Sequence, residues 1–576
     1  MCNQILKIPE LWVRLKISAP FLALVLFCST VTTDALSAGS STSTTTQAAV
    51  AIPDKYGAQV AQDILLAGGN AVDAAVATGF ALAVTYVDAG NIGGGGFMLI
   101  YMNGEPVFLD YREVAPLAAH RDMFLNVDKS VIHNLSLIGS KAAGVPGTVA
   151  GFWKAHQRFG KLPWHKLVEP AIKLAEEGFV PADILVDNIR DNYSRFDGLT
   201  NFQQYFGKVK EGQVFKQPEL AATLKRIAKQ GQDDFYRGKT AKLIVKHMQA
   251  SGGIISAEDL AQYQAIWRKP LTSNWRDYQI LSAPPPSSGG FGVIQLLKMK
   301  DYLATEFAGL AHNSAQYVHL VAEMEKRVFA DRAEYFGDPA FVDIDVSELV
   351  SNAYIKRRAM EVNPKTISKL DSVTPGLESP NTTHYSIVDG DGNAVSNTYT
   401  INWGYGAGVV VEGAGFLLNN EMDDFSVKPG VPNIFGVVGN TANEIQPGKR
   451  MLSSMSPTIV LKDNKPVMVI GTPGGSTIFT SVFQAIVNII DFKMSPLQAA
   501  SASRFHHQLL PPDLITQTPS RPLGQETIFE LNKRGYRVEP HSWEYGDIQI
   551  IWQEGDNLIP ASDSRNRGVS KVIDIH

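Results

Sequence analysis

The sequence predicts an α+β fold of stacked layers, and three observations carry this. The pattern becomes helical from Lys55, the middle, roughly 150–350, is mostly helical, and a strand-rich segment begins at Thr382. Between them, residues 364–381 hold Pro364, Pro375, Gly376 and Pro380 and show little periodicity. Such a joint reads as a mobile, exposed connection.

Taken in order, the first forty residues differ in kind from the rest. Lys7, Arg14 and Lys16 precede an apolar run, Ile17 to Cys28, and a small, polar segment follows through Ala35 and Ala38. That order is expected of a secretory signal over residues 1–38, cleaved near Ala35–Ala38. The run is shorter than the roughly 20 residues a spanning helix needs, and nothing later in the chain is long and apolar enough. Residues 39–50, rich in Ser, Thr and Ala, are expected to form a flexible mature N-terminus. A helix is predicted from Lys55 to about Ala67, closed by Gly68-Gly69, and an Ala-rich one from Ala71 with Asn70 as its cap. Gly93 to Gly96 lead into a strand-like run, Phe97–Tyr101. Helices are expected over Trp164–Glu177, Glu219–Gln230 and Ser314–Tyr335, with Pro284–Gly290 as a turn opening another; this middle reads as scaffold. Thr382–Val388 and Ala394–Ile401 alternate as two strands about the turn Asp389-Gly390-Asp391-Gly392-Asn393. Length alone suggests three or four domains, and no internal repeat is present.

Of 576 residues, 44% are hydrophobic and 19% charged, and the formal net charge is −5, which argues against a nucleic-acid binder. Both cysteines, Cys2 and Cys28, lie in the leader, so a mature chain has no disulfide, thiolate nucleophile or Cys-bound metal. No His-Glu-x-x-His or comparable metal spacing occurs. The adjacent His506 and His507 would point apart in a strand and read as structural. Neither a metal nor a cofactor is expected.

The hairpin permits a geometric inference. A five-residue turn centred on Asp391 sets Thr382 opposite Thr400, with Cβ atoms about 4.5–5.5 Å apart. A two-residue turn would put the pair on opposite faces. Facing threonines are ordinary strand composition, but Thr382 stands where a loose joint meets a strand. A cut there would free its α-amine, with a pKa around 7.7–8.0, to take the proton of its own hydroxyl. Asn381-Thr382-Thr383 also fits a glycosylation sequon.

Asn381-Thr382-Thr383-His384-Tyr385-Ser386 resembles the start of the small subunit of γ-glutamyltransferases, members of the N-terminal nucleophile hydrolases. The resemblance extends through Leu418–Ser426, Lys428–Asn433, Arg450–Thr458, Gly471–Ser476 and Arg504–Gln508, and in the first half through Gly68–Ala75 and Asp110–Glu113. It covers essentially everything after the leader.

The resemblance implies a four-layer αββα sandwich built from two processed chains, 39–381 and 382–576, which pair as a heterodimer. It implies Thr382 as nucleophile, Thr400 as its hydroxyl partner, autocleavage between Asn381 and Thr382, and Gly474 and Gly475 as oxyanion hole. The donor is a γ-glutamyl amide such as glutathione; the acceptor is water, an amino acid or a dipeptide. Arg112, Ser453 and Ser454 would hold the donor's α-carboxylate, and Asn402, Glu421 and Asp424 its ammonium. Residues 429–441 match a lid loop, with Phe435 at a position where some members carry tyrosine; Trp403 and Tyr405 also depart from the family pattern. The nearest rival is a glutaryl (cephalosporin) acylase, whose donor lacks the ammonium, and Asp424 discriminates against it. A binding or structural protein that kept the fold without processing is the rival from another class. The leader suggests export to a bacterial periplasm, with extracellular release as the alternative.

Overall fold

The described residues of the computed structural model are 46–369, 382–428 and 439–575. From the first half come β1 (Thr46–Ile52), β2 (Gly95–Met102), β3 (Glu105–Tyr111), β4 (Ile266–Arg268), β5 (Leu271–Trp275) and β6 (Tyr278–Ser282). β7 (Thr382–Val388), β8 (Ala394–Thr400), β9 (Thr458–Lys462), β10 (Lys465–Gly471) and β11 (Phe505–His506) follow. The chain closes with β12 (Leu514–Gln517), β13 (Arg537–Pro540), β14 (Gln549–Glu554), β15 (Asn557–Ser562) and β16 (Val569–Ile575). One antiparallel sheet runs β16-β1-β7-β8-β2-β3-β4 and a second β15-β14-β10-β9-β6-β5, while a small third, β11-β12-β13, is mixed, with β12 and β13 parallel.

Alternation along the strands produces the layers, because successive side chains leave opposite faces of a sheet. Ala48, Val50 and Ile52 of β1 join a core with helices Lys55–Leu66, Ala71–Thr85 and Thr148–Phe159. Ala49 and Ala51 point the other way, into a core between the sheets with Phe97, Leu99, Ile459, Val469 and Ile551. A third core sets Val460, Met468 and Ile470 against helices Gly289–Tyr302, Ala315–Tyr335 and Thr477–Ile490. The order is therefore helix, sheet, sheet, helix. Every residue of helix Ala71–Thr85 is buried, which explains its small side chains, and Asn70 caps it in a reciprocal box with Asp73.

Three expectations change. Residues 46–50 are not a flexible terminus: β1 is threaded between β16 and β7, and Ala48–Ile52 are fully buried. The helical middle also contains β4, β5 and β6, short strands that complete the edges of both large sheets. Thr45–His576 form one compact unit rather than several domains, because both halves of the chain share the same sheets. No helix among the described residues is long and apolar enough to cross a membrane.

The β7–β8 hairpin has the five-residue turn, with Thr382 paired to Thr400 and Val388 to Ala394. The Asp389 carboxylate fixes it by accepting from the N–H groups of Asp391 at 3.0 Å and Asn393 at 2.9 Å. Ser386 and Ser396 donate across the sheet interface to the carbonyls of Gln549 and Ile470, at 3.1 and 3.0 Å. Gly471 is required here: a Cβ would lie 2.3 Å from the His384 ring.

Candidate active site

Thr382 opens β7 at 8% exposure and lines a cavity of about 330 Å³ together with Trp403, Tyr405, Pro473, Gly474 and Tyr545. Its hydroxyl donates to Thr400 Oγ1 at 3.5 Å, the long end of a hydrogen bond. Thr400 Oγ1 also accepts from the Asn402 N–H at 2.7 Å. Past the strand the chain turns sharply, with Asn402 at φ 74° and Tyr405 at φ 64°. Asn402 Nδ2 donates to the Asn420 carbonyl at 3.0 Å, and Asn420 Oδ1 accepts from the Trp403 N–H at 3.0 Å.

Gly474 and Gly475 sit between β10 and helix Thr477–Ile490 at φ 137° and 56°, conformations that favour glycine. The Gly474 carbonyl accepts from Thr477 Oγ1 at 2.7 Å and so faces the helix. Behind the turn, Ser476 donates to Gln508 Oε1 at 2.9 Å and meets His506 Nε2 at 3.3 Å. Burial depresses His506 to about 3 and His507 to about 4, so both are neutral, in keeping with a structural role.

Arg112, 1% exposed, directly follows β3 and forms the second centre. It pairs with Glu421 at 2.7 Å, with Asp424, and with Glu113 at 3.6 Å, and Nη2 donates to the Leu452 carbonyl at 3.1 Å. Burial opposes its charge, but Glu421, Asp424 and Glu113 outweigh it and hold the guanidinium's pKa above the usual value. Burial lifts Glu113 to about 8, with Arg112 offsetting part of the rise, and lifts Glu421 well above the carboxylate range. The expected carboxylate holder and two of the expected ammonium holders thus pack on each other; Arg112 is no surface ion pair. Ser453 and Ser454 follow Leu452, both buried, and the Ser454 hydroxyl has no hydrogen-bond partner among the described residues. Asn402, bonded to Thr400 on one side and to the residue before Glu421 on the other, links the two centres. Asn381 and Phe435 lie outside the described residues, as does the lid loop up to residue 438.

Sequence reasoning missed an ionic network on the cavity wall. Arg567 pairs with Asp88 at 3.0 Å and covers the Tyr86 ring at 4.0 Å. Burial and the neighbouring Asp563 push Asp547 up to about 8. Partners 479 positions apart carry no local signal.

A two-sheet sandwich clasped by helices, with a threonine opening a central strand at a cavity beside a glycine turn, defines the N-terminal nucleophile hydrolases. The gamma-glutamyltranspeptidase family model matches residues 57–573, and the chain belongs to that family. It is 58% identical over 525 residues to a glutathione hydrolase proenzyme of Pseudomonas aeruginosa, covering 91% of this chain and 94% of that one. Among solved structures it is similar to a gamma-glutamyltranspeptidase from Pseudomonas nitroreducens complexed with L-DON: 57% identity, TM-score 0.55, 55% of this chain and 95% of that chain. A cephalosporin acylase from Bacillus halodurans shares the fold over 92% of this chain and 96% of its own, with TM-score 0.80 and 26% identity.

Proposed function

We propose that the protein is an autoprocessed γ-glutamyl transferase/hydrolase with Thr382 as chain-initial nucleophile and glutathione among its donors. The observation that carries this is the hydroxyl of Thr382, set at the first residue of an interior strand, against Thr400 and in one cavity with Gly474. The Thr382 hydroxyl attacks the Asn381–Thr382 carbonyl, the peptide passes to an ester, and water releases residues 39–381 from 382–576. The freed α-amine then takes the hydroxyl proton as Thr382 attacks the donor's γ-carbonyl. N–H groups of Gly474 and Gly475 stabilise the oxyanion; one such donor is worth about 10²–10³ in rate. The departing amine accepts the proton, leaving a γ-glutamyl ester on Thr382. Water, or an amino acid or dipeptide, resolves the ester and regenerates the hydroxyl.

Arg112, Ser453 and Ser454 take the donor's α-carboxylate, while Asn402, Glu421 and Asp424 take its ammonium. The ion pairs of Arg112 suit this exchange: a zwitterion brings an anion for the guanidinium and a cation for the acids. Phe435 and residues 429–441 act as the lid. The leader sends the precursor to the periplasm, with extracellular release as the alternative.

Intact mass and N-terminal sequencing of wild type beside Thr382→Ala, with γ-glutamyl release assayed on both, test the reading. Two chains in wild type, the smaller beginning Thr-Thr-His-Tyr-Ser, and a single inactive chain in the variant are expected. An uncut, inactive wild type would overturn it.

A further inference from the structure

The groups assigned to a donor's α-carboxylate come from different sheets. Arg112 directly follows β3 of the first, while Ser453 and Ser454 lie on the run that leads into β9 of the second. A ligand gripped from two sides needs its holders placed within about 0.5 Å. Apolar packing between the sheets is non-directional and does not set such a distance.

Asp110, the penultimate residue of β3, is fully buried and touches both sides. Its Oδ1 accepts from the Arg112 N–H at 2.9 Å, and the Tyr263 hydroxyl donates to the Arg112 carbonyl at 2.9 Å. The main chain of Arg112 is thus held fore and aft. The same Oδ1 lies 3.4 Å from Nε of Arg450, while Oδ2 accepts from Arg268 Nε at 2.7 Å. Arg450 is anchored in turn: its N–H donates to Asp338 Oδ2 at 2.8 Å and its Nη2 to the Gln264 carbonyl at 2.7 Å. Next along the chain come Met451 and Leu452, whose carbonyls accept from the Arg112 guanidinium at 3.4 and 3.1 Å, and then the two serines. The contacts close a ring, from Asp110 through Arg112 to Leu452 and back through Arg450. Arg268, which ends β4, would by itself fasten the sheet edge to Asp110. Arg450 comes instead from the segment that carries the serines.

We propose that Asp110 and Arg450 are a positioning pair that fixes Arg112 against Ser453 and Ser454. The pair thereby sets how tightly the donor's α-carboxylate is held. Neither residue lines the Thr382 cavity, so both act through the residues they place. This role rests on the γ-glutamyl reading above.

The test compares processed wild type with Asp110→Asn, Arg450→Gln, Arg450→Lys and the Asp110→Asn/Arg450→Gln double variant on γ-glutamyl-p-nitroanilide. Asp110→Asn and Arg450→Gln should each raise KM about 10–100-fold and leave kcat within about threefold. Arg450→Lys, which keeps the charge, should lie nearer wild type than Arg450→Gln. The double variant should be no more than about threefold worse than the poorer single one, as for residues acting as one unit. If Asp110→Asn does not fold, Arg450→Gln carries the test, since Asp110 then keeps Arg268. A fall in kcat at constant KM would mean that the pair only supports the fold, and would overturn the proposal. Unchanged KM, or single effects that multiply in the double variant, would overturn it as well. A wild type that releases no γ-glutamate would remove the γ-glutamyl reading itself, and this proposal with it.

Discussion

The two centres of the site are built by opposite means. At Thr382, two neutral hydroxyls meet across one hairpin, eighteen positions apart in sequence. At Arg112, one buried cation meets Glu421, Asp424 and Glu113, and the Asp424 contact spans 312 positions. A neutral alcohol is cheap to bury and needs only its register and a nearby base. A buried cation needs anions assembled around it, and removing one member of such a set costs several kcal/mol. The Thr382 centre is made by local pairing, the Arg112 centre by long-range assembly.

Substitutions can break or sharpen that contrast. The largest effect is expected for Arg112→Met, which strands the carboxylates: a stability loss of about 3–5 kcal/mol in denaturant unfolding, with γ-glutamyl turnover abolished. An unchanged unfolding midpoint would show that the acids simply protonate. On the other side of the comparison, Gly475→Ala should lower kcat about 10²–10³-fold with KM little changed. A rise in KM at constant kcat would assign the glycine turn to binding instead. Asp424→Asn should weaken use of a γ-glutamyl donor by about 10–100-fold while relaxing rejection of a glutaryl donor; unchanged kinetics on both would remove Asp424 from donor discrimination.

The smallest effect is a pH dependence. The folded pKa of Glu113, about 8, lies above its ordinary value of 4.5. Its neutral form therefore favours the folded state, and that contribution, complete below the ordinary pKa, is lost as pH rises toward 8. Glu113→Gln removes this loss, so the difference in melting temperature should drift in the variant's favour over that window. A flat difference would mean that Arg112 keeps Glu113 ionised throughout.

The hairpin was legible because turn chemistry and a period of two determine which residues face one another. Asp389 settles the register locally by capping the turn's own N–H groups. Helix Ala71–Thr85 was legible too, since Asn70 and Asp73 cap it within one turn. β1 was not, because Thr46–Val50 become a strand only through the slot between β16 and β7. Short strands β4 to β6 escaped for the same reason: edge pairing, not pattern, makes them strands. The resemblance named Arg112, Glu421 and Asp424 individually but did not reveal that they pair with each other.

The strand order has a consequence for the processed protein. A cut before Thr382 would leave β1 to β4 on one product and β7, β8 and β16 on the other, yet β1 stays threaded between β16 and β7, and β8 stays zipped to β2. The two products would be interleaved like the teeth of a closed zip. Dilution could not pull them apart, and any separation would amount to unravelling both.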